Sequence, residues 1–196
     1  MMAPMKDSDY TERLLRLQEQ RWKQVFAFAN PYGLHIRSIV SGATLEVGCG
    51  IGRVLNFLPR QMVGVDRNAD SVSVCRDKGL EAYLPAEFES RYRGRQCFGT
   101  LLLSHVVEHM STAEAIALVQ SYRPYLESKA RLVLIAPQEK GFASDSTHVE
   151  FMDFDRLAAI CAGAGFAVQS AYSFPFVRSM GRHYIYNEFV TIGKLL

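Results

Sequence analysis

Short apolar runs alternate with segments of helical composition along most of this chain. The runs typical of strands are TLEVG, MVGVD, LEAYL, TLLLS and RLVLIA, at 44–48, 62–66, 80–84, 100–104 and 131–136. Segments such as ADSVSVCRDKG and STAEAIALVQSYRPYL lie between them. Strands that alternate with helices predict βαβ units around a parallel sheet, whose buried strands are apolar on both faces.

The order of elements changes after Pro137. A polar loop over 138–151 comes first, and a helix is predicted near Asp153 to Gly163. Two β-like runs, FAVQSAY and HYIYNEFVTIGKLL, follow that helix. We expect these two runs to form an antiparallel pair at an edge of the sheet, because such strands are common additions to parallel sheets.

The segment from about Asp9 to Ala29 carries apolar residues at helical spacing and ends at an Asn-Pro-Tyr-Gly breaker, residues 30–33. We interpret it as a leading helix whose apolar face packs on the core. A substrate lid or a dimer contact, and hence a homodimer, is the alternative. The predicted organisation is a single domain, with a helical extension over 1–33 and a core over 34–196.

Composition and charge narrow the class of protein. With 196 residues, 48% hydrophobic and 21% charged, the chain has the balance of one globular domain with its own core. The 22 basic and 20 acidic residues are spread along it, which disfavours nucleic acid as a partner. No apolar run approaches the roughly 20 residues of a membrane span. The 4 cysteines lie far apart, as in a reducing compartment, so a cytoplasmic protein without a membrane partner is predicted.

The sequence LEVGCGIGR, residues 45–53, joins an apolar strand to a glycine-rich turn. Gly48, Gly50 and Gly52 let the backbone turn tightly and approach a ligand before the next helix begins. The second strand ends in Asp66, where a carboxylate can accept hydrogen bonds from a ribose diol. These features predict a nucleoside pocket.

Glu46 lies inside the otherwise apolar first strand. Burial of a carboxylate costs several kcal/mol unless a cation or a hydrogen-bond donor meets it. Its negative charge disfavours a phosphate nearby, and the spacing G-x-G-x-G departs from the G-x-G-x-x-G of dinucleotide-binding enzymes. The pattern therefore favours a ligand that carries an ammonium or sulfonium group.

Three motifs occur in order along the chain: LEVGCGIGR, VGVDRN and LLLSHVVEHM. Together they resemble the motifs of the class I S-adenosylmethionine-dependent methyltransferases, and the resemblance extends from about Gly42 to Leu196. It implies an α/β, Rossmann-like doubly wound fold, with a seven-stranded sheet of order 3-2-1-4-5-7-6, an antiparallel last strand and helices on both faces. It also implies S-adenosylmethionine as the cofactor, bound over the C-terminal ends of the first strands.

The resemblance also implies which residues meet the cofactor. The glycine turn lies against its methionine part, Asp66 meets its ribose, and the backbone around Ser104 and His105 lies close to the sulfonium methyl. The predicted cofactor-binding residues are Glu46, Gly48, Cys49, Gly50, Gly52, Asp66, Arg67, Ser104 and His105. Two positions depart from the family pattern. The pair Phe98-Gly99 replaces a common Phe-Asp, and only Glu87 offers an acid for the adenine amino group.

The stretch SHVVEHM, residues 104–110, sets His105, Glu108 and His109 on one face of a turn or short helix. We favour a role in closing the strand or in general-base catalysis. The run His-x-x-Glu-His also matches an inverted zinc-protease signature, but that motif lies within a longer helix. The preceding strand and the glycine turn disfavour a protease.

A divalent metal on the same face is the alternative. Some methyltransferases that resemble this chain bind one through Glu-x-x-Glu-His and a later histidine. His105 stands where the first Glu would be, and His148 could supply the later ligand. Such a set suits zinc or a transition metal better than magnesium, which prefers oxygen ligands. The match is partial, and we predict no metal at these residues.

An alcohol that attacks a methyl group must lose its proton, so an imidazole near the methyl is useful. His105 is the first candidate base and His148 the second, with Glu108 and His109 near the acceptor. The loop after the fifth strand should overhang the cofactor. Beyond it, SFPFVRSMGRHYIYNEF offers aromatic walls and cations for an anionic or hydroxylated substrate such as a sugar derivative. The predicted substrate-binding residues are Arg178, Arg182, His183 and Tyr184.

The predicted function is methyl transfer from S-adenosylmethionine to an oxygen of a small-molecule acceptor. Transfer to nitrogen, or to an RNA ribose with the help of a metal, is the alternative within the enzyme class. A noncatalytic scaffold that keeps the fold is the rival from another class, because fold does not fix function. A nicotinamide-dependent oxidoreductase ranks below both.

Overall fold

A seven-stranded sheet runs through residues 31–196, the part of the chain that the computed structural model describes. The strands are β1 Thr44–Val47, β2 Met62–Val65, β3 Ala82–Tyr83, β4 Phe98–Ser104, β5 Leu126–Pro137, β6 Phe166–Phe174 and β7 Glu188–Leu195. The α-helices are α1 Pro31–Ile39, α2 Ala69–Asp77, α3 Pro85–Tyr92, α4 Thr112–Tyr122, α5 Glu139–Phe142 and α6 Phe154–Gly163. Short 3₁₀ helices cover Leu55–Phe57, Val107–His109, Arg123–Tyr125 and Arg178–Arg182.

The strand order is β3-β2-β1-β4-β5-β7-β6, as predicted. Strands β1 to β5 pair in parallel. Strand β7 runs antiparallel to both of its neighbours, β5 and β6. The winding of the sheet reverses between β1 and β4, so a crevice is expected at the C-terminal ends of these two strands.

Strand β4 shows why the buried runs of the sequence are uniformly apolar. Leu101 and Leu103 belong to a core on one side of the sheet, together with Phe88. Leu102 belongs to a second core on the other side, together with Ile36. All three leucines are 0% exposed, because both faces of the strand are covered.

Side-chain caps fix where three helices begin. Asn68 accepts a hydrogen bond from a backbone N–H at the start of α2, and Asp153 does so at the start of α6. Ser111 opens α4 with a capping box, in which the Glu114 carboxylate accepts the Ser111 backbone N–H. Each cap satisfies an N–H that has no partner within its helix and is typically worth about 1 kcal/mol.

Two local elements differ from the predictions. Pro31, expected as part of a breaker, opens α1, because proline suits the first position of a helix, where its missing N–H has no intrahelical partner to lose. The glycine turn leads into the 3₁₀ helix Leu55–Phe57 instead of a longer helix. Pro59 follows closely, and the residue before a proline avoids the helical conformation, so the segment is too short for an α-helix.

The elements after Pro137 follow the predicted order. The helix expected near Asp153 is α6. The first β-like run lies within β6, the second contains β7, and the two strands pair antiparallel. The predicted leading helix over 9–29 lies outside the described residues. Within residues 31–196, no helix combines the length and the apolar character needed to cross a membrane.

Candidate cofactor and acceptor site

The glycine turn after β1 has a left-handed backbone at each of its glycines. The φ angle is 75° at Gly48, 52° at Gly50 and 78° at Gly52, a region that side chains disfavour. A Cβ atom at Gly48 would collide with the side chain of Val106. The N–H of Gly48 donates to the carbonyl of Val65 at 2.8 Å, which ties the turn to the end of β2. Position 48 therefore requires glycine for both conformation and space.

The carboxylate of Asp66 is fixed by the backbone around it. Its two oxygens accept the N–H of Gly50 at 2.7 Å and the N–H of Asn68 at 2.9 Å. Because each carboxylate oxygen can accept about two hydrogen bonds, acceptor capacity remains on both. Asp66 is thus held in one orientation with room to accept a ligand diol.

Glu46 is 2% exposed in the middle of β1. Its Oε2 atom is buried and has no hydrogen-bond partner among the described residues. Burial raises the pKa of this carboxyl, and the nearby charge of Arg53 opposes the rise. A buried carboxylate with an unsatisfied oxygen is costly, so the site is incomplete without a positively charged or hydrogen-donating group.

Three other residues from the cofactor prediction lie in different surroundings. Cys49 is buried, and its Sγ lies beside Gly64, where any Cβ would collide with it. Only its backbone can therefore face a ligand. Arg67 is exposed. Glu87 forms an ion pair with Arg76 and accepts a backbone N–H at the start of α3, so its carboxylate already has partners.

Tyr32 brings helix α1 to the end of β4. Its hydroxyl lies 3.1 Å from Oγ of Ser104. The Arg53 guanidinium lies over the tyrosine ring, 4.9 Å from its centroid, and Phe174 packs against the same ring. Burial and the charge of Glu188 raise the pKa of the Tyr32 hydroxyl, which therefore stays neutral and can donate a hydrogen bond.

His105 follows β4 with a φ angle of 59°, in the left-handed region although it is not glycine. Such a conformation costs about 1–3 kcal/mol and is found most often at functional sites. The ring lies between two acids: Nε2 is 2.7 Å from Oε1 of Glu188, and Nδ1 is 3.3 Å from Oε1 of Glu108. The strained backbone thus holds the imidazole between these two carboxylates.

The electrostatics of His105 favour an imidazolium. Burial lowers its pKa, but the neighbouring carboxylates of Glu188 and Glu108 outweigh burial and raise the pKa to about 9. At neutral pH each ring N–H then points to a carboxylate, and the ring has no lone pair to act as a base. The general-base role of His105 stays a prediction, and the arrangement adds Glu188 as a second candidate.

Sequence reasoning missed Glu188, Tyr32 and Gln138. Glu188 opens β7 and is 83 residues from His105 along the chain. The backbone carbonyl of Glu188 accepts a hydrogen bond from Nε2 of Gln138 at 3.0 Å. The buried side-chain Oε2 of Glu188 has no hydrogen-bond partner within residues 31–196. The sequence signal that could have found Glu188 is an acidic residue at the start of an apolar strand. Glu46 was predicted from a similar signal, an acidic residue within an apolar strand. We call Tyr32, Ser104, His105 and Glu188 the His105 cluster.

A second group of predicted residues also comes together. Glu108, His109 and His148 each offer one ligand atom, and these atoms all lie within 4.8 Å of one another. Glu108 and His109 lie in the 3₁₀ helix after β4, and His148 lies in the loop between α5 and α6. His105, expected on the same face, points between Glu108 and Glu188.

The predicted substrate-binding residues lie after β6, around the last 3₁₀ helix. Arg178 forms a two-pronged ion pair with Glu139, at 2.8 and 2.6 Å, and its guanidinium lies 4.6 Å from the centroid of the Phe189 ring. Arg182 and His183 are exposed, and the Tyr184 ring packs edge-on against Phe176. Arg178 is thus committed to Glu139, and the substrate roles of all four residues stay predictions.

Solved structures with this architecture include several S-adenosylmethionine-dependent methyltransferases. One from Archaeoglobus fulgidus has a TM-score of 0.63 at 17% identity, covering 96% of this chain and 94% of that one. A TehB-like methyltransferase from Corynebacterium glutamicum has a TM-score of 0.63 at 16% identity, covering 95% and 98%. The magnesium protoporphyrin IX methyltransferase of Synechocystis, solved with bound S-adenosylmethionine, has a TM-score of 0.60 at 13% identity, covering 100% of both chains. No protein-family model and no curated protein matches this chain.

The chain therefore has the Rossmann-like fold shared by S-adenosylmethionine-dependent methyltransferases. The predicted fold class is confirmed, and so, at the level of the fold, is the resemblance drawn from the three motifs. The left-handed glycines, Asp66 and the unsatisfied Glu46 all lie at the C-terminal ends of β1 and β2 or within β1 itself.

Proposed function

We propose that this chain transfers a methyl group from S-adenosylmethionine to an oxygen of a small hydroxylated acceptor, such as a sugar derivative. The observation that carries the proposal is the buried, unsatisfied Oε2 of Glu46 beside the left-handed glycine turn. An ammonium group, such as that of the cofactor's methionine part, would satisfy this oxygen and offset the cost of its burial. The shared fold supports the same conclusion.

The residues around the turn fit the rest of that ligand. Gly48 and Gly50 place no side chain at the turn, and Asp66 keeps acceptor capacity for a diol. When bound, S-adenosylmethionine supplies a methyl group on a positively charged sulfur. The chain's task is then to align an acceptor with that methyl and to remove the acceptor's proton.

The His105 cluster supports an oxygen acceptor. A hydroxyl loses its proton as it attacks, and a neutral amine has no need to do so beforehand. Glu188 has one oxygen on His105 and a second, Oε2, that is free to take that proton. We therefore assign the proton acceptor to Glu188, held in place by His105, and expect the Tyr32 and Ser104 hydroxyls to bind the acceptor nearby.

Calorimetric titration with S-adenosylmethionine and its demethylated product tests the cofactor assignment. Both should bind to the unmodified protein, and Glu46→Gln should weaken the cofactor about 10- to 100-fold, because a hydrogen bond to a charged group contributes about 1.5–3 kcal/mol. Glu89→Gln is the matched control, since Glu89 is exposed and already paired with Arg93. Absence of heat from either ligand would favour the noncatalytic scaffold.

A label-transfer screen tests the reaction. The protein is mixed with methyl-labelled cofactor and a metabolite extract, and the products are identified by mass spectrometry. We expect a labelled methyl ether on a small hydroxylated molecule. A labelled amine, or labelled RNA, would overturn the assignment of the acceptor and leave the cofactor assignment standing.

The cytoplasmic location and the oligomeric state stay predictions.

A further inference from the structure

Backbone hydrogen bonds hold the segments that carry Glu108, His109 and His148 next to each other, and no ligand is needed for this. The carbonyl of Glu108 accepts the N–H of Val149 at 2.7 Å and of Glu150 at 3.3 Å. These bonds fasten the loop that carries His148 to the 3₁₀ helix that carries Glu108 and His109. The three side chains are therefore positioned by local structure at the end of β4.

Each imidazole has its Nδ1 atom beside a backbone carbonyl. Nδ1 of His148 lies 2.7 Å from the carbonyl of Phe142, and Nδ1 of His109 lies 3.2 Å from the carbonyl of Thr147. A carbonyl can only accept, so a hydrogen bond in either place requires the proton on Nδ1 and leaves Nε2 for a ligand. The Thr147 hydroxyl, 3.3 Å from Nδ1 of His109, donates to Asp145 and can accept from the same N–H. A histidine that donates one ring N–H to a carbonyl and offers the other nitrogen is the usual arrangement of a metal ligand.

Glu108 supplies an independent sign that a ligand is missing. The residue is 0% exposed, and neither carboxylate oxygen has a hydrogen-bond partner within residues 31–196. The only charge paired with it there is His105, at 3.3 Å from Oε1. A fully buried carboxylate normally accepts several hydrogen bonds or meets a metal ion. Its free oxygen capacity therefore calls for a further cation.

We propose that Glu108, His109 and His148 bind a divalent transition metal of the zinc class. Two imidazoles and one carboxylate suit zinc, cobalt or iron, whereas magnesium prefers oxygen ligands alone. Two atoms bound to one zinc at about 2.1 Å lie at most about 4.2 Å apart. The present spread of 4.8 Å thus closes with a small inward movement of the partly exposed imidazoles.

The metal ties the loop between α5 and α6 to the end of β4. That loop follows β5, at the same end of the sheet as Glu46 and Asp66. The metal would therefore hold the loop in one position beside the acceptor. This inference goes beyond methyl transfer and does not rest on it. It reverses the prediction from sequence, because the carbonyls beside the two imidazoles and the unsatisfied Glu108 become visible only in three dimensions.

Metal binding is measured directly, on the full chain after treatment with a chelator. Zinc is titrated by competition with a coloured chelator, and cobalt is added to a second sample to read its visible absorption. We expect about one equivalent of zinc and an intense cobalt spectrum of low coordination number. His148→Ala and Glu108→Gln should each weaken zinc by more than about 100-fold, since even the loss of an outer-shell partner costs about 10- to 100-fold.

His183→Ala is the matched control, because His183 is an exposed histidine outside the group, and it should bind zinc like the unmodified protein. Circular dichroism confirms that each variant is folded. Hydrogen exchange supplies a further readout: zinc should slow exchange in residues 143–152 of the unmodified protein and leave His148→Ala unchanged. Zinc binding that survives both His148→Ala and Glu108→Gln, or no zinc binding at all, would overturn the proposal. None of these measurements depends on methyl transfer.

Discussion

The glycine turn and the His105 cluster are built from different parts of the chain. The turn uses Glu46, three glycines and Asp66, which lie within about 20 residues of one another, and it presents backbone and fixed carboxylates. The His105 cluster joins α1, β4 and β7, with contacts that span 72 and 83 residues. The first is therefore a local structure, whereas the second exists only when the whole sheet is assembled.

The difference makes the proposed roles of the two regions separable by experiment. If the turn binds the cofactor and the His105 cluster binds and deprotonates the acceptor, a change in the turn should alter the cofactor Kd and leave kcat unchanged. A change in the His105 cluster should alter kcat or the acceptor KM and leave the cofactor Kd unchanged. The following variants test that separation, from the largest expected effect to the smallest.

Glu188→Gln should have the largest effect. The amide that replaces the carboxylate cannot take a proton, so we expect kcat to fall by about 100- to 10,000-fold, the usual contribution of a general base. The calorimetric Kd for the cofactor should stay within about twofold of its original value. Glu188→Asp should recover part of the rate because it keeps a carboxylate. If the cofactor Kd rises in parallel with the fall in kcat, the glycine turn and the His105 cluster do not have separate roles.

Gly48→Ala should be the most damaging change on the turn. The left-handed φ angle and the collision with Val106 together should lower the free energy of unfolding by about 3 kcal/mol. Denaturant titration measures the loss. The double variant Gly48→Ala, Val106→Ala should show less than the sum of the two single losses, because it relieves the collision and keeps the strain. Full additivity would contradict the contact with Val106.

Asp66→Asn should weaken the cofactor by about tenfold. The amide can accept only one of the two backbone N–H groups that Asp66 accepts, and it loses the charge that strengthens hydrogen bonds from a diol. Calorimetry gives the Kd, and kcat at saturating cofactor should hardly change. A large fall in kcat with unchanged Kd would place Asp66 with the chemistry.

Tyr32→Phe should have the smallest effect. It removes the hydroxyl 3.1 Å from Ser104 and preserves the packing of the ring. The loss of one neutral hydrogen bond corresponds to about 1 kcal/mol, so the KM for the acceptor should rise about fivefold. Cofactor affinity should not change. A change in cofactor Kd equal to the change in acceptor KM would contradict the assignment of Tyr32 to the acceptor.

The contrast also explains how far the sequence could be interpreted. Strands β1, β2 and β4 are short apolar runs buried on both faces, so their pattern alone locates them. The glycine turn is encoded by neighbours in sequence, which is why the sequence alone predicts Glu46 and Asp66 as parts of one site. Pro31 was misleading because proline both ends and begins helices, and only the surrounding chain decides which.

The His105 cluster was predicted only in part for a physical reason. His105 was identified from SHVVEHM, but its partner Glu188 is brought to it by the antiparallel pairing of β7 with β5. Nothing near Glu188 in the sequence indicates an imidazole. Likewise, the tautomers of His109 and His148 depend on carbonyls that only the folded loop supplies.

The position of β7 has a consequence for synthesis on the ribosome. Residues 188–195 are made after every other strand of the sheet, yet they lie between β5 and β6. While they are still in the exit tunnel, β5 has an open edge that another nascent chain could pair with. The half of the sheet that carries Glu46 and Asp66 can form early during translation, whereas Glu188 joins it only with β7. A stalled or truncated product would thus keep the glycine turn and lack the carboxylate that pairs with His105.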